Sequence, residues 1–401
     1  MSLVIGMNSG SSFDGIDAVL VEISLNDQGG LGVPRFIDGM SFAWPTEVQS
    51  MVLDSFANKL DIFELSRLNY IVGGVFADCA LDIMRKNNLE GKDVEVIGYD
   101  GQTIYQQYPT LETGMNVSGD IPTYMQWTVG GYGYGLYIGD PTVVATKTDT
   151  YVVTRFRPMD HSLQGTGAPL IQYIDYVLLR DYLPTITLNI GGIANVHYAC
   201  SDRARLRGFD TGPGNVMIDH AMRRYFDRKY DNGGIIAAEG KVNQELLKVL
   251  LSHPFLRRPI PRNAWRWDFG GEYADKIFGE FSSVEPRDIV ATVTEFTAET
   301  IVRGLQMIPE LTEVTTIIAS GGGILNTTLV ESIRRKLGAG HSIVSLDVYG
   351  FPAPYKEALE CGVQAYAYVN DIASNSPLAE GAIRYGILGE LTKPPRIAKV
   401  I

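Results

Sequence analysis

The sequence predicts a duplicated α/β protein of two lobes, and three observations carry that prediction. Leu3-Val4-Ile5-Gly6-Met7, a polar turn over residues 8–15 and the apolar run 16–23 read as strand, turn and returning strand. The pattern recurs at 185–190, with Gly191-Gly192 as the turn and 193–198 as the return. A third glycine loop, Ser320-Gly321-Gly322-Gly323, follows the strand 315–319 and precedes a helix starting near Asn326. Only glycine lets backbone lie flat against a base or ribose there. One hairpin with a glycine turn is commonplace. Two of them, each tipped with small polar residues, point to related lobes facing a cleft, at 1–183 and 184–401, with the final segment a candidate to return to the first lobe.

The elements between follow from periodicity. Val48, Met51, Val52 and Phe56 share one face of a helix, and Leu65, Leu68 and Ile71 mark a second over 63–84. Val94-Glu95-Val96-Ile97-Gly98 is a buried strand leading into Tyr99-Asp100-Gly101-Gln102-Thr103. Residues 109–135, rich in Gly, Pro and Tyr, read as a long surface excursion. A strand at 151–154 precedes Arg155-Phe156-Arg157, and the turn 165–169 opens a helix through Leu179. In the second half, Asp210 stands between Phe209 and a Thr-Gly-Pro-Gly turn, at a strand exit and ahead of a helix carrying Val216, Ile218, Met222 and Phe226. Pro286 suits the first turn of a long helix with Val290, Val293, Ile301, Leu305 and Ile308 on one face.

Composition narrows the function. The 401 residues carry 34 basic and 46 acidic side chains, a formal charge of −12, so no cationic surplus exists to displace counterions from a nucleic acid. No apolar run is long enough for a membrane span, and no basic leader precedes the first strand. Three scattered cysteines exclude a disulfide framework and a cysteine zinc cluster, leaving a reduced, cytoplasmic chain. Neither a P-loop nor a G-x-G-x-x-G after the first strand nor a G-x-S-x-G elbow occurs. The five histidines show no metal-ligand spacing.

What remains is polar tips and isolated carboxylates, the equipment of phosphoryl transfer. That reaction needs donors around phosphates, a carboxylate-held divalent cation and a base for the nucleophile. Ser9, Gly10, Ser11 and Ser12 supply donors on the first tip, and Gly191-Gly192 on the second. Asp14 is a candidate metal carboxylate, against the plain alternative of an Asp-Gly turn aspartate. Asp210 is the candidate base at a strand end, where α/β sheets place their chemistry, against an Asx-turn or helix-start role. Glu357 is a second metal candidate, against a solvated helix-start glutamate.

Taken together, Gly6-Met7-Asn8-Ser9-Gly10-Ser11-Ser12-Phe13-Asp14-Gly15-Ile16-Asp17 resembles the signature of the anhydro-N-acetylmuramic acid kinase family, with Asn8 closest to its levoglucosan kinase branch. Leu188-Asn189-Ile190-Gly191-Gly192-Ile193-Ala194-Asn195-Val196 is similar to the second phosphate hairpin. Phe209-Asp210-Thr211-Gly212-Pro213-Gly214-Asn215 is similar to the segment bearing the catalytic aspartate, and 321–326 to the adenosine loop. Weaker matches span nearly the whole chain. The resemblance implies an actin-like fold of the sugar kinase and Hsp70 ATPase type, with ATP and Mg2+ in an interlobe cleft, and a homodimer. It also implies a double reaction in which a 1,6-anhydrosugar is opened by water and phosphorylated on O6. Carried over by motif, Asp210 is the base, expected as an exposed, ionised aspartate, and Asp14 with Glu357 holds the metal. Ser9, Gly10, Ser11, Ser12, Gly15, Asp17, Gly191, Gly192 and Asn195 bind phosphates. Gly321, Gly322, Gly323 and Asn326 bind adenosine. The sugar side falls to Asp100, Gln102, Thr103, Arg157 and Asp160.

On the sugar side the chain departs from the pattern. Asp100 replaces a histidine, Arg155 reverses an aspartate, Thr166 replaces a glutamine, and Arg262-Asn263-Ala264-Trp265-Arg266-Trp267 replaces Lys-Ser-Thr-Gly-Arg-Glu. Donors become acceptors, so sugar recognition differs. The leading reading is an anhydrosugar kinase with levoglucosan first among substrates. The alternatives are a nucleotide-binding sensor without turnover and a kinase of ordinary sugars.

Overall fold

The computed structural model describes residues 1–10, 13, 15–109, 123–128, 131–264 and 266–395. The chain splits into two compact units, Met1–Leu178 with Glu357–Ile401, and Leu179–Lys356. Each is a mixed α/β body, and the two share one strand order.

In the first unit, β1 (Ser2–Asn8), β2 (Ile16–Ile23) and β3 (Arg35–Phe42) form an antiparallel meander. β4 (Val94–Tyr99) then lies parallel to β1. β5 (Gln102–Gln107) and β6 (Tyr134–Ile138) make a separate two-stranded ribbon. The expected surface excursion therefore ends inside a strand, and its residues 110–122 and 129–130 lie outside the described residues. β7 (Val152–Thr154) runs parallel to β4. Helix α1 (Ile62–Lys86) opens on a capping box, Asp61 accepting from the Glu64 amide and Glu64 returning the bond. Its Leu68, Val72 and Phe76 pack on Ile5, Met7 and Tyr99 of the sheet. Helix α2 (Phe156–Ser162) follows β7 directly.

The second unit repeats the plan. β8 (Thr185–Ile190), β9 (Ile193–Ala199) and β10 (Arg207–Pro213) form the meander, and β11 (Thr316–Ser320) and β12 (Ser342–Ser345) add parallel strands beside β8. The order β10-β9-β8-β11-β12 matches β3-β2-β1-β4-β7, meander on one side and parallel strands on the other. The long helix α3 (Pro286–Gln306) starts with proline at its first turn and buries Ile289, Val293, Phe296, Ile301 and Leu305. Helix α4 (Thr327–Leu337) follows the third glycine loop.

The chain then returns to the first unit through α5 (Lys356–Val369), and β13 (Glu390–Thr392) closes on β7 antiparallel. Gly6 and Gly98, partners across β1 and β4, let α5 sit directly on the sheet. A Cβ on Gly6 would collide with the Ala358 carbonyl, and one on Gly98 with that of Cys361. That close approach sets Glu357, in the first turn of α5, beside the end of β1.

Candidate active site

The first tip is a network rather than an open loop. Asn8 Nδ2 donates to Glu357 Oε2 at 2.6 Å, joining positions 349 residues apart. Ser9 is buried, and its Oγ donates to Gln102 Oε1 at 2.9 Å. Phe13, in the left-handed region at φ 56°, turns its ring into Trp44 and Phe56. Asp17 pairs with Asn8 across the hairpin and accepts from Ser41 Oγ at 2.6 Å. Gly15 lies against the Phe42 carbonyl. Ser11, Ser12 and Asp14 lie outside the described residues.

Behind this tip sits a buried polar cluster. Asp100 Oδ1 accepts from the Phe156 amide at 2.9 Å, and Oδ2 pairs with Arg157 Nε at 3.0 Å. Burial pushes the Asp100 carboxyl up to about 6 against the pull of Arg157. Arg157 also donates to Gln106 Oε1 at 3.2 Å, and Gln106 Nε2 to the Thr166 carbonyl. Asp160 has no exposed surface and accepts from the Gly167 amide at 2.8 Å, its pKa raised by burial to about 6. Gln102 is likewise fully enclosed, with Thr103 buried beside it. His161 Nδ1 faces the Gly165 carbonyl and therefore donates, so Nε2 accepts from Tyr137 OH at 3.2 Å. Burial holds this imidazole neutral by pushing it down to about 4. Arg155 points elsewhere, exposed and paired with Glu390 at 3.4 Å. Asp160 and Gln102 thus hold neighbouring chain in place, and Asp100 and Arg157 are chiefly each other's partners.

In the second unit a polar row crosses four strands. Ser320 Oγ donates to Asn189 Oδ1 at 3.0 Å, Asn189 pairs in register with Asn195, and Asn195 with Asp210. Asp210 stands inside β10, where the register shifts between Asp210 and Gly212, and not at the strand's exit. It is 6% exposed, which corrects the expectation of an exposed aspartate. Oδ2 accepts from the Ala264 amide at 2.7 Å, an N–H···carboxylate bond that favours the charged form. The Gly191-Gly192 tip is sutured to the turn after β10, with Gly214 N donating to Gly192 O at 2.9 Å and Asn215 N to Gly191 O at 2.8 Å. A Cβ on Gly214 would strike the Gly191 carbonyl.

The third glycine loop has a reason of its own. Side chains on Gly321 or Gly323 would collide with Ile190, so these glycines serve packing, while Gly322 faces open space. Asn326 caps α4, its Oδ1 accepting from the Leu329 amide at 3.0 Å.

Two features escaped sequence reasoning: the Asn8–Glu357 bond, and the attachment of Arg262 and Ala264 to Asp210. The second lay in a segment that looked like part of the sugar side. Trp265 lies outside the described residues.

The profile of the family described as anhydro-N-acetylmuramic acid kinase matches residues 2–394. A protein of that name from Caldanaerobacter subterraneus subsp. tengcongensis is 34% identical, over 97% of this chain and 96% of its own length. Another from Bacillus cereus is 33% identical over 98% and 99%. Among solved structures, a ROK family glucokinase from Streptomyces griseus with glucose and AMPPNP shares 14% identity at a TM-score of 0.39, covering 91% of this chain and 99% of that one. The activator of 2-hydroxyisocaproyl-CoA dehydratase from Clostridium difficile with ADPNP shares 12% at 0.42, covering 92% and 96%.

Proposed function

The chain belongs to the anhydro-N-acetylmuramic acid kinase family and is a phosphotransferase, and from that premise we propose that it is an ATP- and Mg2+-dependent kinase of a neutral, levoglucosan-like 1,6-anhydrosugar. The placement of Asp210 carries this reading. A carboxylate anchored through one oxygen by the Ala264 amide, in register with Asn195 and next to the tied Gly191-Gly192 tip, suits a fixed general base.

In the proposed reaction Asp210 takes a proton from water, and the hydroxide oxygen bonds to the anomeric carbon. The bond from that carbon to O6 breaks, and O6 attacks the γ-phosphorus of ATP. The bond from that phosphorus to the bridging oxygen breaks as ADP leaves, and Asp210 then gives its proton to solvent. The products are ADP and a sugar 6-phosphate with a free anomeric hydroxyl. Each tip, taken by itself, offers backbone amides or hydroxyls suited to a phosphate, with Ser9 held by Gln102 in the first and Gly191-Gly192 held by Gly214 and Asn215 in the second. Glu357 is an oxygen donor of the kind magnesium takes, oriented by Asn8, and with Asp14 it would hold the ion, which neutralises phosphate charge when bound.

The preference for a neutral sugar rests on the first unit. Anhydro-N-acetylmuramic acid bears a lactyl carboxylate, and levoglucosan bears none. The Arg157 charge is matched by Asp100, and Arg155 is turned to Glu390, so neither offers a surplus cation to a substrate carboxylate. ADP release measured with each sugar tests this. The expected result is a higher kcat/KM with levoglucosan and loss of turnover in Asp210→Asn. ATP binding without stimulation by either sugar would favour the sensor reading, and phosphorylation of ordinary hexoses alone would favour a conventional sugar kinase.

A further inference from the structure

We propose that Arg262 is the positioning residue of Asp210: a buried guanidinium that fixes the strand carrying the base and supplies the positive charge that keeps it ionised. This rests on the reading of Asp210 as the base. Arg262 is 5% exposed, and its plane lies over Phe255, with the ring centroid 4.9 Å away, and over Phe209 at 6.0 Å. Nε donates to the Asp210 carbonyl at 3.1 Å and Nη2 to that of Thr211 at 3.4 Å. Nη1 reaches the carbonyls of Leu256 at 3.0 Å and Arg258 at 3.4 Å. The Asp210 amide donates back to the Arg262 carbonyl at 2.9 Å, and two residues on Ala264 N meets Oδ2. Residues 262–264 therefore grip Asp210 by amide, carbonyl and carboxylate.

The acceptors decide the meaning. Among the described residues, every hydrogen bond of Arg262 ends on a carbonyl and none on a carboxylate. Carbonyls satisfy its donors but leave its unit charge to be balanced by a neighbour, since a buried charge without one is costly. The charge acts on the carboxylate next to it. Burial alone would drive a proton onto Asp210 and disable it as a base, and a cation nearby opposes that. Among the described residues, three neighbouring titratable or charged groups have partners of their own. Arg258 is paired with Asp268 at 2.6 Å, and His197, next along β9 on the same face, is bonded with Thr187 Oγ1 at 3.1 Å. Arg207, three residues before Asp210 on β10, is directed to Glu310.

The test compares Arg262→Met and Arg262→Lys in the full-length protein, reading kcat, the pH profile of kcat/KM and binding of AMPPNP. Met removes the charge, so kcat should fall about 10- to 100-fold and the acid limb should move up by about one pH unit, with AMPPNP affinity within about threefold. Lys keeps the charge and loses the fork, so kcat should fall while the acid limb stays within a few tenths of a unit. An unmoved limb in the Met variant, whatever its thermal stability, overturns the proposal. Should that variant not fold, a shifted limb in Arg262→Lys overturns it and an unshifted limb with lowered kcat supports it. Asp210→Asn, run alongside, separates the two readings: turnover there overturns the base itself, whereas its loss combined with an unmoved limb in Arg262→Met removes only the role of Arg262.

Discussion

Asp100 in the first unit and Asp210 in the second are both buried aspartates near an arginine, and they are wired differently. Asp100 takes the Phe156 amide on one oxygen and the Arg157 guanidinium on the other, so its charge is cancelled within the fold. Asp210 accepts the Ala264 amide on Oδ2, while Arg262 turns its donors to carbonyls and acts on that carboxylate through its charge. Similar burial therefore produces a direct ion pair in one unit and, in the other, the carboxylate we propose as the base. The lesson is that the partner's acceptors, more than the arginine itself, separate a brace from a reactive group.

Substitutions sharpen that contrast, the largest effect first. Asp210→Asn keeps an acceptor for Ala264 N and removes the base, so kcat should fall about 10³-fold or more with AMPPNP binding retained, as read by ADP release and calorimetry. Asp100→Ala strands Arg157 and should cost about 2–3 kcal/mol by urea denaturation, a little below the usual figure because Arg157 keeps some contact with water. If instead Asp100→Ala is neutral for stability and abolishes turnover, the two aspartates have been assigned the wrong way round. Gly323→Ala drives a methyl group into Ile190 and should cost about 1–3 kcal/mol in the same assay.

Much of this was legible in the chain because it is local. Both glycine-tipped hairpins and the start of the long α3 helix at Pro286 are written within a dozen residues each. β3 and the β5–β6 ribbon were not, since Gly39 interrupts the first and the glutamines of Gln102–Gln107 blur its alternation. Contacts across long separations leave no local trace at all. Nothing near Asn8 announces Glu357, and nothing near Arg262, in a segment whose sequence points to the sugar side, announces its bonds to Asp210 52 residues away. The burial of Asp210 escaped notice for the same reason, since the packing that encloses it comes from elsewhere in the chain.

Smaller effects test the titration of the first unit. The folded pKa of Asp160, about 6, lies above its ordinary 3.8, so the folded state binds that proton more readily and gains stability as pH falls from 6 toward 4. Asp100 acts in the same direction. His161, at about 4 against an ordinary 6.5, loses stability as pH falls across 6.5 to 4. The effects oppose one another, so Asp160→Asn should make Tm fall more steeply on acidification through that window than in the parent protein. Arg155→Ala removes an exposed pair with Glu390 and should change stability by less than about 0.5 kcal/mol and leave turnover intact.

Product analysis on a neutral anhydrosugar probes the central claim most directly, with ADP, phosphorylated sugar and free reducing ends counted in one reaction. The account predicts ADP, sugar 6-phosphate and reducing ends in equal amounts, all lost together in Asp210→Asn. Phosphorylated sugar whose anhydro bridge is intact, or an unchanged rate in that variant, would contradict it.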